Sequence, residues 1–472
     1  MDDLSTSIKK VLIVFLLLFV ALISYFSYFI AIDGPSVAGK IQNKRLWAKR
    51  NEILRGTIYD RAGNALTKSS KVDTLTQKRE YVGGAVFAHV LGYVDPKYGL
   101  SGLEATYDQE LMADNSSSYL ELIKNKGETK DKIGNSLKTT IDSDIQKTAY
   151  DLLGDRRGSV VVLNPSTGEV LAMVSRPSYD PNNLDKIWKD INADKNKPLI
   201  NRSVAGLYPP GSIFKVITLT SALENIQGIT SRRFEDNGKI VFNSKYSLSN
   251  SGGHAYGNID LKTGFVKSSN VVFGTLAMEL GNDKLKSTAE KYFFNKDVEG
   301  DGIVINNSKF PKISASEPGN IAQSGIGQSS ILASPMEMAL VASTVANKGV
   351  MMKPKLVSEV VTYDNKSVKV IQNQEQGRVT SEDIANTVKD YMKEVVISGT
   401  GKSAAVSGIQ VCGKTGTADH DNNDSEPHSW FIGFAPYDNP QVALAVIVEE
   451  GGTGGGAAAK IASGVFQKAL KK

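Results

Sequence analysis

The sequence predicts an α+β protein with three parts: a single N-terminal transmembrane helix, a small, mostly β pedestal, and a large domain built on a five-stranded, mainly antiparallel sheet flanked by helices. Three observations carry this. Val11 to Ile32 runs without a charge, Arg55 to Thr67 reads strand, turn, strand, and from Leu137 onward strand-like runs bracket a long helical middle. With 472 residues, 41% of them hydrophobic, the chain can bury a large core, and at about 150 residues per domain two or three units are expected. Its 55 basic and 50 acidic residues give a net charge of +5 with no basic stripe, so no nucleic-acid partner is expected. A single cysteine, Cys412, excludes an internal disulfide and a cysteine-based metal framework. The four histidines, His89, His254, His420 and His428, form no H-E-x-x-H pattern and read as loop or surface residues. Neither metal nor cofactor is predicted.

The first element is the anchor, "VLIVFLLLFVALISYFSYFI" extended by Ala31 and Ile32. At a rise of about 1.5 Å per residue it spans a hydrocarbon core of roughly 30 Å. It is longer than the apolar region of a cleavable signal peptide, and no A-x-A-like site follows. Tyr25, Phe26, Tyr28 and Phe29 crowd its far end as interfacial aromatics do. Lys9 and Lys10 precede the run, while Lys40, Lys44, Arg45, Lys49 and Arg50 follow it, so the charge count does not by itself fix orientation. The expected division is a tail at 1–10, anchor at 11–32, pedestal at 33–136 and catalytic domain at 137–472.

Within the pedestal, "RGTIYDRAGNALT" gives two short strands around a Gly-Asn turn. "GLSGLEATYDQEL" then gives a helix with Leu103, Tyr107 and Leu111 at i, i+4 and i+8. The polar stretch "ADNSSSYLELIKNKGETKDKIGNS" reads as a surface hairpin or linker. The large domain opens with "TTIDSDIQKTAYDLL", a helix that Asp142 or Ser143 can cap. "GSVVVLNPSTGEVLAMVS" follows as a hairpin with strands near 159–163 and 169–174. Three further strands are expected at Ile409–Ala418, Ser429–Ala435 and Val442–Val448, and Ala457–Leu470 is amphipathic enough to close the domain as a helix on that sheet.

The chemistry turns on "GIQVCGKTGT", which reads in two ways. Gly408 and Gly413-Lys414-Thr415 fit G-x-x-x-x-G-K-[ST], a nucleotide-binding loop. Such a loop must sit between a strand and a helix N-terminus, whereas here a polar, turn-rich stretch leads into another strand. The alternative is Lys-Thr-Gly, one of three motifs found together in serine enzymes acting on penicillins and D-alanyl substrates. Its companions are present. "PPGSIFKV" sets Ser212 and Lys215 three apart at the start of a helix, on one face of a single turn. A serine hydroxyl needs a base, and a desolvated amine near another cation can have its pKa lowered enough to serve. "KSSNVVFG" supplies Ser268 and Asn270 as S-x-N, which on its own fits a helix N-cap as well as a catalytic pair.

With all three motifs in order, the sequence resembles the penicillin-binding proteins, in particular the class B, monofunctional D,D-transpeptidases. The likeness extends through "RGTIYDRAGNALT", "GLSGLEATYDQEL", "YPPGSIFKV", "SSN", "GIGQSSILASPMEMA" and "CGKTGTA". It implies a transpeptidase fold and a peptidoglycan D,D-transpeptidase that cross-links stem peptides ending in D-Ala-D-Ala and is acylated by β-lactam antibiotics. By the same resemblance Ser212 is the nucleophile, Lys215 the base, and Ser268 the proton relay to the leaving amine. Asn270 holds the donor amide, Lys414 tunes the electrostatics, Thr415 and Thr417 bind the substrate carboxylate, and Gly416 permits close approach. Backbone N–H groups of Ser212 and Thr417 form the oxyanion hole. The partners implied are the cytoplasmic membrane and an integral-membrane glycan polymerase, with the catalytic domain on the extracytoplasmic side. Ser329 stands where the family commonly has glycine, the pedestal is short, and no C-terminal wall-binding module is expected. Carboxypeptidase release, a penicillin-binding sensor and a serine β-lactamase are the alternatives that share the motifs.

Overall fold

The computed structural model describes residues 2–28, 47, 50–73, 76–113, 132–419 and 426–471. Helix α1 (Asp2–Tyr28) contains Ile8–Tyr28, long and apolar enough to cross a membrane, and no part of that span is buried against the rest of the chain. A core helix of the same composition would be covered. The expected hairpin or linker after Leu111 lies largely outside the described residues.

The N-terminal region is built from short pieces. Strand β1 (Ile58–Tyr59) runs into a turn in which Asp60 accepts hydrogen bonds from Ala62 N, Asn64 N and Asn64 Nδ2 at 2.8–2.9 Å. Gly63, at φ +86°, supplies the left-handed residue this turn needs. Leu103, Tyr107 and Leu111 are all buried as their spacing requires, but they sit on two short helices, Gly102–Thr106 and Asp108–Leu111, rather than one. Tyr107, between them, donates its hydroxyl to Asp301 in the large domain at 2.7 Å. Two arginines meet a fully buried carboxylate here: Glu104 accepts from Arg55 Nε at 2.5 Å and from Arg79 Nε at 2.8 Å, while Asp108 accepts from Arg55 Nη1 at 2.6 Å.

Strand β2 (Ser136–Thr139) joins the two regions. It pairs in parallel with β1 and antiparallel with Val357–Val361, which in turn carries Ser367–Val370, so one four-stranded sheet contains residues from both halves of the chain.

The large domain then opens with α2 (Ser143–Leu153). Asp142 caps it, accepting from Asp144 N and Ile145 N at 3.1 Å, while Ser143 donates instead to Asp60 at 2.6 Å. Strands β3 (Gly158–Leu163) and β4 (Val170–Arg176) form the hairpin. The helical middle supplies α3 (Lys215–Asn225), β5 (Arg233–Asp236), α4 (Asn270–Lys291), α5 (Pro335–Ala346) and α6 (Glu382–Ile397). Strands β6 (Cys412–Ala418), β7 (His428–Ala435) and β8 (Val442–Val448) complete an all-antiparallel sheet in the order β4-β3-β8-β7-β6, and α7 (Ala457–Leu470) ends the fold.

Both faces of this sheet are covered, which is why its strands read as nearly continuous apolar runs. Val160 and Val162 pack with Ile145, Ala149, Val465 and Phe466 of α2 and α7. Val161 and Leu163 belong to the opposite core, with Met336, Leu340 and Val345 of α5. All twelve residues of α5 are buried, Glu337 among them, so this mainly apolar helix lies in the middle of the core.

Two histidines depart from expectation. His89 is buried in a short helix, donating to Pro198 O at 2.8 Å, and burial pulls its pKa down to about 4. His428 is buried in β7 and accepts from Glu450 N at 3.1 Å. Each has a backbone partner inside the fold, which an isolated histidine in a sequence does not reveal. His420 lies outside the described residues.

Candidate active site

The Ser212 turn is fixed by backbone crowding. Pro209 and Pro210 lead into Gly211 at φ +56°, then a single 3-10 turn, Gly211–Phe214, runs directly into α3. Trp430 Nε1 of β7 donates to Pro209 O at 3.0 Å, and Gly211 N donates to Gly327 O at 2.9 Å. A Cβ at Gly211 would lie 2.4 Å from Thr417 O, so the turn rests against the end of β6 with no space for a side chain between them. Gly416 is tight for the same reason: a Cβ there would meet Pro210 O and Ile213 Cγ2 at 3.0 Å. Its smallness therefore serves the approach of the Ser212 turn, a use the resemblance did not anticipate.

Lys215 begins α3 and is fully buried. Its Nζ donates to Ser268 O at 2.7 Å, Asn270 Oδ1 at 2.7 Å and Ser268 Oγ at 3.2 Å. From the other side, Lys414 Nζ of β6 donates to Ser268 Oγ at 2.9 Å and to Thr415 O at 3.0 Å. The two lysines thus share one hydroxyl. Among the described residues, Ser212 Oγ takes no side-chain hydrogen bond; Lys215 is turned toward the Ser268–Asn270 segment.

The S-x-N segment divides its two serines. Ser269 is the cap of α4, accepting from Val272 N at 3.0 Å, and this is the helix-cap reading of the motif realised one residue later than Ser268. Ser268 is freed for the lysines and held at φ +59°, a left-handed conformation that costs a non-glycine residue free energy and that clusters at functional sites.

Burial of these amines has a direct chemical effect, because removing an ammonium from water disfavours its charged form. Burial first, and then the Lys414 charge, hold Lys215 well below the ordinary lysine value, with Asp236 opposing them. Burial brings Lys414 down to about 7. Each amine therefore gives up its proton more readily than an exposed lysine does.

A cleft of about 740 Å³ opens over these groups, lined by Ser212, Ser268, Asn270, Thr415 and Thr417 together with Gln328, Thr400, Tyr256, Lys267 and Asp419. Thr415 Oγ1 lies 2.6 Å from Thr400 Oγ1, and Thr417 Oγ1 accepts from Gly454 N at 3.1 Å. The three motifs, scattered along the chain, thus border one cavity. A second cavity of about 590 Å³, beside Arg55, Arg79 and Tyr81, contains none of them.

Some of the surroundings were not foreseen. Asp236 of β5 and Asn250 lie behind the S-x-N segment without belonging to any motif. Ser329 sits at φ +65°, the left-handed region that favours glycine, which accounts for the residue type expected there. The nucleotide-loop reading fails on geometry. Lys414 lies inside a strand paired with β7, and the next described element after that strand is β7 itself rather than a helix.

Comparison with known proteins identifies the family. Residues 158–468 match the penicillin binding protein transpeptidase domain, and residues 55–137 match the penicillin binding protein A dimerisation domain. Peptidoglycan D,D-transpeptidase PbpA of Mycolicibacterium smegmatis is 31% identical, over 99% of this chain and 100% of its own. Among solved structures, penicillin-binding protein A from M. tuberculosis, as its ceftriaxone acyl-enzyme complex, superposes with a TM-score of 0.83 at 31% identity, covering 90% of this chain and 100% of that one. The D,D-transpeptidase domain of a peptidoglycan glycosyltransferase from Eggerthella lenta gives 0.80 at 33% identity, over 89% and 99%. A turn carrying Ser212, two buried lysines joined through Ser268 and a match running through most of the large domain leave one conclusion: the chain belongs to the penicillin-binding protein transpeptidase family, among its class B members.

Proposed function

We propose that the chain is a serine D,D-transpeptidase that cross-links peptidoglycan stem peptides and is inactivated by β-lactams. One observation carries it: Lys215 and Lys414, both buried and both shifted below the ordinary lysine value, converge on Ser268 Oγ at 3.2 and 2.9 Å beside the turn that holds Ser212. Ser212 Oγ attacks the carbonyl between the two D-alanines of the donor, and its proton passes to Lys215. The oxyanion faces the N–H groups of Ser212 and Thr417; removing one such donor typically costs about 10²–10³ in rate. The C–N bond then breaks, and the departing D-alanine amine takes a proton through Ser268. An acceptor amine attacks the Ser212 ester, forming the cross-link and releasing the serine. Asn270 holds the donor amide, and Thr415 and Thr417 hold its carboxylate. A β-lactam follows the same first step, but its leaving amine remains tethered and blocks the acceptor.

In this reading the chain divides into tail (1–10), anchor (11–32), pedestal (33–136) and transpeptidase domain (137–472). Residues after the anchor lie outside the cytoplasmic membrane, where the substrate is. The pedestal docks on an integral-membrane glycan polymerase, because a monofunctional transpeptidase has no glycan-forming activity of its own. Helix α1 supports the anchoring.

The test is acylation. Residues 33–472 incubated with a β-lactam are expected to carry one adduct, located by mass spectrometry on Ser212, and Ser212→Ala is expected to carry none. An adduct on any other serine overturns the assignment. Protease added to intact protoplasts is expected to digest the large domain; protection of that domain while a surface control is cut overturns the orientation.

A further inference from the structure

Behind the shared hydroxyl lies a buried polar network that the mechanism above does not use. Asp236, at the end of β5, is fully buried. Its carboxylate accepts from Ser269 Oγ at 2.6 Å, from Asn250 Nδ2 at 2.8 and 3.0 Å and from Gly238 N at 2.9 Å. Asn250, also buried, completes the circuit: its Oδ1 accepts from Asn270 N at 2.7 Å and Val271 N at 3.1 Å, and its Nδ2 also reaches His254 O at 2.8 Å. Every arm ends on the segment from Ser269 to Val271 or on the loop facing it.

That segment needs such a brace. Ser268 is held at φ +59°, and a strained residue persists only where its surroundings over-determine it. A buried carboxylate is also costly unless its lone pairs are satisfied, and here both oxygens are used. Replacing it with a leucine-like packing residue would be the simpler solution if only stability were at stake.

We propose that Asp236 is a positioning residue of the acylation centre: acting through Ser269 and Asn250, its carboxylate holds the Ser268–Asn270 turn where one hydroxyl meets two lysines. This rests on the transpeptidase reading. The carboxylate has a second consequence, because of the charged groups that act on Lys215 it is the one of opposite sign. Lys414 drives Lys215 toward its neutral form, and Asp236 pulls it back toward the ammonium. The brace therefore also sets the pH at which the base becomes available.

The signs give a test. Lys215 acts as a base only when deprotonated, so acylation rises with pH through its pKa. Removing the Asp236 charge lowers that pKa and moves the acid limb of the profile to lower pH. Asp236→Asn should slow acylation of Ser212 by a chromogenic cephalosporin by about 10²-fold, the cost of a misplaced catalytic group, with the folded protein intact by circular dichroism and with the acid limb displaced downward. A wild-type rate overturns the proposal, as does a rate loss with an unmoved acid limb, which is what mere packing would give. The exchange D236N/N250D keeps one carboxylate in contact with one carboxamide and serves if D236N does not fold. At least tenfold faster acylation than Ser212→Ala background supports the brace, and a folded exchange at background overturns it. Failure of the wild-type protein to be acylated at Ser212 would instead remove the transpeptidase reading, a separate outcome from either.

Discussion

Two regions of this molecule bury cations and treat them in opposite ways. In the N-terminal region, burial works to discharge Arg55, but Glu104 and Asp108 outweigh it and its pKa rises above the ordinary value; burial works to protonate Glu104, but Arg79 and Arg55 outweigh it and its pKa falls. Arg55 and Glu104 are thus each held in the charged form. In the catalytic cleft, Lys215 and Lys414 are buried as deeply, yet their hydrogen-bond partners are hydroxyl, carboxamide and carbonyl oxygens, and both amines are driven toward neutrality. The side chain matters too, since a guanidinium cannot usefully surrender its proton whereas a buried ammonium can. A carboxylate in contact makes a buried cation structural, and its absence makes an amine chemical.

The largest expected effect breaks the chemical half. Lys215→Ala should slow Ser212 acylation by about 10²–10⁴, the usual worth of a positioned general base, with little loss of folded protein, measured as the second-order rate of adduct formation. Breaking the structural half should do the reverse. Glu104→Ala leaves the buried Arg55 and the half-buried Arg79 without their shared partner and should cost about 3–5 kcal/mol of stability by denaturant unfolding, while the folded fraction acylates at the wild-type rate. If Glu104→Ala slows acylation of folded protein, the division between the regions fails.

The last test sharpens the rule with a third case. Glu337, on the buried helix α5, has no hydrogen-bond partner for either carboxyl oxygen among the described residues, and burial raises its pKa from 4.5 to about 8. The folded state therefore keeps this proton over a range in which the unfolded chain has lost it. Stability from this group is complete below pH 4.5 and declines as pH rises toward about 8, by about 1.4 kcal/mol per pH unit. Glu337→Gln cannot titrate, so its melting temperature should fall less than the wild-type's between about pH 5 and about pH 7.5. An equal fall in both proteins would refute the assignment.

The legible parts of the sequence were those with a period or a motif. The uncharged anchor run, the closing strands and the order of Ser212, Ser268 and Lys414 could be read because each repeats a spacing or a known pattern. Asp236 and Asn250 could not, since a buried carboxylate in a short strand looks like any surface aspartate until its partners are placed. The assignment between Ser268 and Ser269 was hidden for a related reason. Either serine can cap a helix, and only the backbone conformation decides which does. The helix expected around Leu103 to Leu111 had the right buried face but breaks at Tyr107, whose tertiary bond to Asp301 lies beyond any local pattern.

Strand β2 has a consequence for synthesis. Its neighbour on one side, β1, emerges from the ribosome before it, but its neighbour on the other, Val357–Val361, is about 220 residues further along. At about 5–20 residues per second, that partner is delayed by on the order of 10–40 s. During that interval the strand presents an unpaired edge, a template for pairing with another nascent chain. The sheet that unites the two halves in the finished protein thus stays incomplete until well into synthesis, and in the meantime the stretch from Ser136 to Thr139 is open to a chaperone or a membrane partner.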